Sequence, residues 1–280
     1  MMLRNLTVAL LLSGVAGVAS AAGPANALSS CFTFAKLPVP TTAPAIEVFV
    51  MVDQTTPFNA DLKQSIADHI KPLLVSGNAL SIYAFSAYTQ GHYTNELVHA
   101  ELDPALEPAT RNDIGKTALA RYDQCEAYQV RTVQTLAGNA LRQAFHGDGN
   151  EISKSDVLAS IQDVSRQVKA SSAQRKIVLI ASDMLENSSI SSFYAKRVVR
   201  KINPDQETRR VADNNLTGDF GGAEIYVLGA GLIVEDTAAK GVYRDPQTMR
   251  ALQQFWQRYF DGSHGKLVEF GAPALLSAIH

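Results

Sequence analysis

Apolar residues follow two rhythms along this chain, unbroken runs of strand length and stripes recurring every three or four residues, and the two alternate. The run 46–52 is apolar except for Glu47 and is followed at once by Asp53, while Lys176 to Ser182 holds four consecutive aliphatic residues and is followed by Asp183. Near-continuous apolar runs bounded by turn residues mark strands buried on both faces of a parallel sheet. Further strands are predicted at 79–86, at 224–228, at 266–270 and, more weakly, at 97–100, with a turn near Gln90-Gly91. Helical spacing appears over 58–74 through Leu62, Ile66, Ile70, Leu73 and Leu74, over 126–145 and over 155–169, and a further helix is expected over roughly 191–202 after the Asp183 strand. A last helix starts at Asp245-Pro246, with Asp as cap and Pro in the first turn, and runs through Met249, Leu252, Phe255, Trp256 and Tyr259. Strands alternating with amphipathic helices predict an α/β fold: a doubly wound, mostly parallel central sheet with helices on both faces.

The segments outside that rhythm also have readings. Residues 1–21 have the form of an export signal, with Arg4, an apolar stretch over 6–18 and the small residues Ala19-Ser20-Ala21; Ala25-Asn26-Ala27 offers a second cleavage point. A loose lipoprotein pattern ends at Cys31, separated from the apolar stretch by Gly23-Pro24-Ala25-Asn26. Residues 22–45 carry Pro38, Pro40 and Pro44 and read as an extended arm laid over a domain covering 46–280. Residues 102–121 read as an irregular excursion, and 203–222, with Pro204 and three glycines, as a polar insertion.

Composition narrows the setting. Lys and Arg number 25 against 27 Asp and Glu, so nothing calls for nucleic acid. No apolar run after the signal is long enough to span a bilayer, and the mature chain is expected to be soluble and periplasmic, with secretion beyond the envelope left open. The only two cysteines, Cys31 and Cys125, both lie in the exported part, where an oxidising compartment would let them pair; the alternative is two buried thiols. The predicted Cys31–Cys125 disulfide would tie the arm to the domain.

Asp53 and Asp183 are the candidate functional residues, since a carboxylate at the exit of a parallel strand sits on the sheet edge where open α/β proteins bind ligands. The order of elements, with Asp53-Gln54-Thr55-Thr56-Pro57 after the first strand and Ser182-Asp183-Met184 after a later one, resembles the von Willebrand factor type A fold over about 46–270. That resemblance implies an interaction domain with a metal-ion-dependent adhesion site, in which hard oxygen ligands hold Mg²⁺ or Mn²⁺ and leave one position for a partner's carboxylate. Residue by residue, Asp53 fits the leading Asp, Thr55 the first hydroxyl and Asp183 the later Asp. Thr135, in Thr135-Leu136-Ala137-Gly138, fits the hydroxyl of the second loop, although the helical spacing of 126–145 places it inside a helix. Pro57 stands where the second hydroxyl belongs, and Met184 where a Gly usually follows.

Other signals carry less. The six histidines show no zinc-like spacing, Gly115-Lys116-Thr117 lacks the first glycine of a phosphate loop, and Gly229-Ala230-Gly231 lacks the third glycine of a dinucleotide fingerprint. The stretch 146–151 does not keep a calcium-loop register. The basic residues Lys196, Arg197, Arg200, Lys201, Arg209 and Arg210 read as a solvated face, and the aromatic residues at 255–260 as core. There is no Gly-x-Ser-x-Gly elbow. The sequence therefore points to an exported module that binds a protein partner and is not an enzyme. The alternative is an exported metal-assisted hydrolase of the phosphoesterase kind, with Asp53 and Asp183 as ligands and Thr55 as nucleophile or positioner.

Overall fold

A computed structural model describes residues 25–89, 92–146, 155–195, 198–233 and 245–280. The expected export signal at 1–21, the expected turn near Gln90-Gly91, the stretch 147–151 and the basic residues Lys196 and Arg197 lie outside them. In chain order the described elements are α1 (Cys31–Ala35), β1 (Ile46–Asp53), α2 (Ala60–Ile70), β2 (Ala79–Thr89), β3 (His92–Glu101), α3 (Pro108–Asp113), α4 (Lys116–Ala144), α5 (Val157–Ala170), β4 (Arg175–Ala181), β5 (Tyr194–Ala195), β6 (Val198–Val199), α6 (Pro204–Asp213), β7 (Glu224–Leu228), α7 (Pro246–Gly262) and β8 (Lys266–Gly271). Six strands form one sheet in the order β3-β2-β1-β4-β7-β8, with β3 antiparallel and the rest parallel. This is the doubly wound architecture of the von Willebrand A and Rossmann-like class.

The alternation of side chains along β1 builds both layers at once. Val48, Val50 and Val52 pack with Leu62, Ile66 and Ile70 of α2 and with Val133, Ala137, Ala140 and Leu141 of α4. Phe49 and Met51 point the other way, into a core shared with α5 and with Leu252, Phe255, Trp256 and Phe260 of α7. A strand buried on both sides has no solvent face to mark with polar residues, which is why 46–52 reads as one apolar run.

The chain leaves β1, forms β2 and β3 on one side, then crosses to β4 on the other. The gap between the ends of β1 and β4 is therefore the topological switch point, the usual binding crevice of such sheets.

Several expectations need correction. The arm is not wholly extended: Ser30 accepts from the N–H of Thr33 and caps α1. The excursion 102–121 contains α3, with Pro108 at its start, and the first residues of α4, which extends ten residues upstream of its expected start because Gly115 opens a helix instead of closing a loop. Among the described residues of 191–202 no helix forms; Tyr194–Ala195 and Val198–Val199 make the antiparallel pair β5–β6, as suits the β-branched Val198 and Val199. The helix lies instead in the supposed polar insertion, where Asn203 caps α6 and Pro204 occupies its first turn. The Cys31–Cys125 disulfide is present and closes a sequence separation of 94. It binds α1 to α4 beside the edge-on ring pair Phe32 and Tyr122.

Candidate functional site

Asp53 is the last residue of β1 and only 1% exposed. Its Oδ1 accepts from the Thr55 N–H at 2.9 Å and the Thr55 hydroxyl at 2.7 Å, closing a turn of the Asx type. Its Oδ2 accepts from the Ser182 hydroxyl of the neighbouring strand exit at 2.8 Å. Helix α2 is capped by Asn59, whose side chain accepts from Leu62, so Asp53 is not its cap.

Asp183 lies next to this turn and is 3% exposed. Its N–H donates to the Thr56 hydroxyl at 2.9 Å, its Oδ1 accepts from the Leu185 N–H at 2.8 Å, and its Oδ2 accepts from the Tyr194 hydroxyl at 2.7 Å. The loop behind is fixed by Ser182 accepting from the Met184 N–H and by Trp256 donating its indole N–H to the Met184 carbonyl, both at 2.9 Å. Met184 sits in the left-handed region, φ 61°, where the family's Gly is expected. Gly229 closes the floor at φ 104°: a Cβ there would lie 2.8 Å from the Phe58 ring and 3.0 Å from the Ser182 carbonyl.

Burial drives the electrostatics. Desolvation raises the Asp53 carboxyl above its usual range against the hydrogen bonds from Thr55, Ser182 and Thr56. The Asp183 carboxyl is pushed up further, first by burial and second by the charge of Asp53. Tyr194, facing both carboxylates from a half-buried position, is likewise pushed up, first by desolvation and then by the charge of Asp183, and stays a hydroxyl donor. Both carboxyls are thus shifted in the same direction, and each makes the charged form of the other less favourable.

The structure brings together Asp53, Thr55 and Asp183 from the expected set, and adds Ser182, Thr56 and Tyr194, which sequence reasoning did not single out. Thr135 is elsewhere. It is exposed in the middle of α4 and donates its hydroxyl to the Arg131 carbonyl at 3.0 Å. The end of α4 that reaches the crevice is Ala144, whose carbonyl accepts from the Gln54 side chain at 3.5 Å, and nine residues of helix separate the two positions by about 13 Å. Pro57 is exposed on the turn and contributes no oxygen.

The oxygens of Asp53, Asp183, Thr55, Thr56 and Ser182 suit Mg²⁺ or Mn²⁺ in chemical kind. Their arrangement suits it poorly, because each carboxylate oxygen already accepts a protein hydrogen bond. Among the described residues no group of three or more His, Cys, Asp or Glu is disposed to hold a metal ion.

A hairpin carries Tyr194 into this site, and a buried ion cluster pins it. Glu207 of α6, 2% exposed, accepts from Arg200 at 2.6 Å and from Ser191 at 2.8 Å. Glu186, 1% exposed, accepts from the Leu158 N–H at 2.9 Å, serving α5 where Asp156 makes no side-chain cap.

No family model and no curated protein sequence matches this chain. Solved structures with a related path include the pilus adhesin SpaC of Lactobacillus rhamnosus GG in its open conformation, 13% identical, at a TM-score of 0.38. The alignment covers 82% of this chain and 28% of the adhesin. Another is an aerotolerance-related membrane protein of Bacteroides fragilis NCTC 9343 with multiple mutations to serines, 10% identical, at a TM-score of 0.35, over 80% of this chain and 90% of that one. At such scores the likeness is one of outline, and the fold assignment rests on the strand order above.

Proposed function

We propose that the mature chain is an exported, periplasmic protein-protein interaction module of the von Willebrand A kind, which meets its partner with the loops above the β1–β4 crevice. The observation that carries this reading is the convergence of Asp53 and Asp183 at the switch point, as a rigid floor beneath an accessible turn. The carboxylates are 1% and 3% exposed, so a partner meets Gln54, Thr55, Pro57 and Asn59, with the carboxylates holding those residues in place.

The same burial supports binding over turnover, since the groups this rim presents to solvent are those of the turn and not the carboxylates. The hydrolase alternative is open to a panel of generic phosphate and acyl esters: turnover that vanishes in Asp53→Ala would replace the binding reading. A divalent cation is a conditional part of the proposal. It would require Asp183 to release the Tyr194 hydroxyl and to stay ionised beside Asp53.

The direct test is Pro57→Arg on the exposed turn. Crosslinking in the producing cell should capture a defined envelope protein with the parent chain and lose it with the variant, at an unchanged thermal midpoint. Undiminished capture of the same protein would sink the reading.

A further inference from the structure

A second surface lies far from the crevice. The arm and residues 124–132 of α4 line an open groove of about 460 Å³, with Leu28, Phe34, Cys125, Tyr128, Arg131 and Thr132 among its walls. That volume is in the range of sites that seat a ligand or a peptide anchor. Arg131 precedes Ala144 by thirteen residues, about 20 Å of helix, so this surface and the crevice turn are separate.

Its construction follows from the disulfide. Phe34 is three residues after Cys31, and Tyr128 is three residues after Cys125. In a helix that spacing puts both rings on the same side as the bridged cysteines. One further step of three along α4 reaches Arg131. The bridge therefore fixes two aromatic rings and a guanidinium along one groove.

The rings are not packed away: Phe34 is 57% and Tyr128 62% exposed, and they are the exposed aromatic members of the large apolar residues left in solvent among those described. Arg131 is exposed, and no described side chain pairs with its guanidinium. The nearby Asp103 carboxylate is already occupied by the Cys31 N–H and the Ser30 hydroxyl of the arm and by the Gln129 amide of α4. Tyr and Arg are the residue types that most often dominate binding energy in a desolvated groove.

We propose that this groove binds an extended segment of a protein partner carrying a bulky apolar side chain beside a carboxylate. The apolar side chain enters between Phe34 and Tyr128, and the carboxylate pairs with Arg131. The unpaired cation decides the sign of the partner's charge, and the ring pair decides its apolar half.

The test is selection of displayed random dodecapeptides on the oxidised protein, followed by binding of the selected peptides to surface variants. The expected consensus has Asp or Glu next to a large apolar residue. Affinity should fall at least tenfold in Tyr128→Ala and in Arg131→Glu, and remain unchanged in Pro57→Arg. Peptides with the acid replaced by Lys should regain binding to Arg131→Glu. Absence of a consensus, a consensus without an acid, or indifference to both groove variants would overturn the proposal. Self-association of the protein that Tyr128→Ala abolishes would overturn it too, by making a second copy the occupant.

Discussion

The hydroxyl of Tyr194 donates to Oδ2 of Asp183 at 2.7 Å, so a side chain from an inserted hairpin occupies a lone pair that an adhesion site of this fold would present to a cation. Tyr194→Phe keeps the ring and removes that donor. Leaving a buried carboxyl oxygen without its partner should destabilise the chain by roughly 1–3 kcal/mol, read from urea unfolding. The same variant bears on the cation. If Tyr194 is the lock, millimolar Mg²⁺ or Mn²⁺ should raise the thermal midpoint of Tyr194→Phe more than that of the parent, because a ligand bound only by the folded state stabilises it. Equal midpoints in cation and in EDTA for both proteins would mean that the floor is purely structural.

Glu186 sets a pH dependence of definite sign. Burial, opposed by hydrogen bonds from Ser188 and Leu158 and aided by the charge of Asp156, pushes its carboxyl from 4.5 to about 7. A carboxyl raised in the folded state contributes stability fully present below the unfolded value and lost as pH rises through the folded one. Between pH 4.5 and 7 the loss corresponds to ~3 kcal/mol, and Asp183, raised in the same sense, adds to it. Glu186→Gln can still accept from the Leu158 N–H while carrying no charge. Its unfolding free energy should match the parent near pH 4.5, exceed it near pH 8, and vary less between them. Parallel pH profiles would show that Glu186 is not the group responsible.

Gly229 tests the floor by shape instead of charge. At φ 104° an L side chain is strained, and the added Cβ would meet the Phe58 ring and the Ser182 carbonyl, neither a flexible side-chain end. Gly229→Ala should cost more than ~2 kcal/mol of unfolding free energy. Gly222, also at positive φ but with open space around it, should cost less when changed to Ala. Similar losses at both positions would attribute the effect to backbone conformation alone.

The parts of this structure legible in the sequence are those fixed by local patterning. Asp53 and Asp183 could be found because a strand exit is a local event, marked by an apolar run and the residue that ends it. Thr135 shows the opposite case: motif likeness put it in a loop, helical spacing put it in α4, and the buried neighbours Val133 and Ala137 held the helix to the core. Ser182 and Tyr194 were out of reach because their partners depend on packing. Ser182 meets Asp53 across 129 positions of chain, through the pairing of β1 with β4. Tyr194 sits where Phe193, Val198, Val199 and Ile202 imitate a helical stripe, yet the actual helix start, with Asn203 as cap and Pro204 in the first turn, lies just beyond them. The start of α4 was hidden for a related reason, since Pro108 and Gly115 open helices as readily as they break them.

The disulfide is the remaining element whose removal has a calculable consequence. Cys31 and Cys125 are 94 positions apart, and in the chain-entropy model cross-linking a loop of that size stabilises by about 4–5 kcal/mol. The contacts that would hold the arm without it are the small cluster of Phe32, Ala35 and Tyr122, Leu28 in the main core, the Asn26 side chain bonded to both backbone groups of Glu101 at 3.0 Å, and hydrogen bonds of Ser29, Ser30 and Cys31 to Gln129 and Asp103. Replacing both cysteines by Ser should therefore lower the unfolding free energy by several kcal/mol and free the arm before the sheet. Urea unfolding would report the first effect, and limited proteolysis the second, with cuts between residues 36 and 45 preceding any within β1. A double variant with parent-like stability and an uncut arm would mean that these contacts hold it without the bridge. In that case the groove between Phe34 and Tyr128 would also survive reduction, and peptide binding there would be insensitive to thiols.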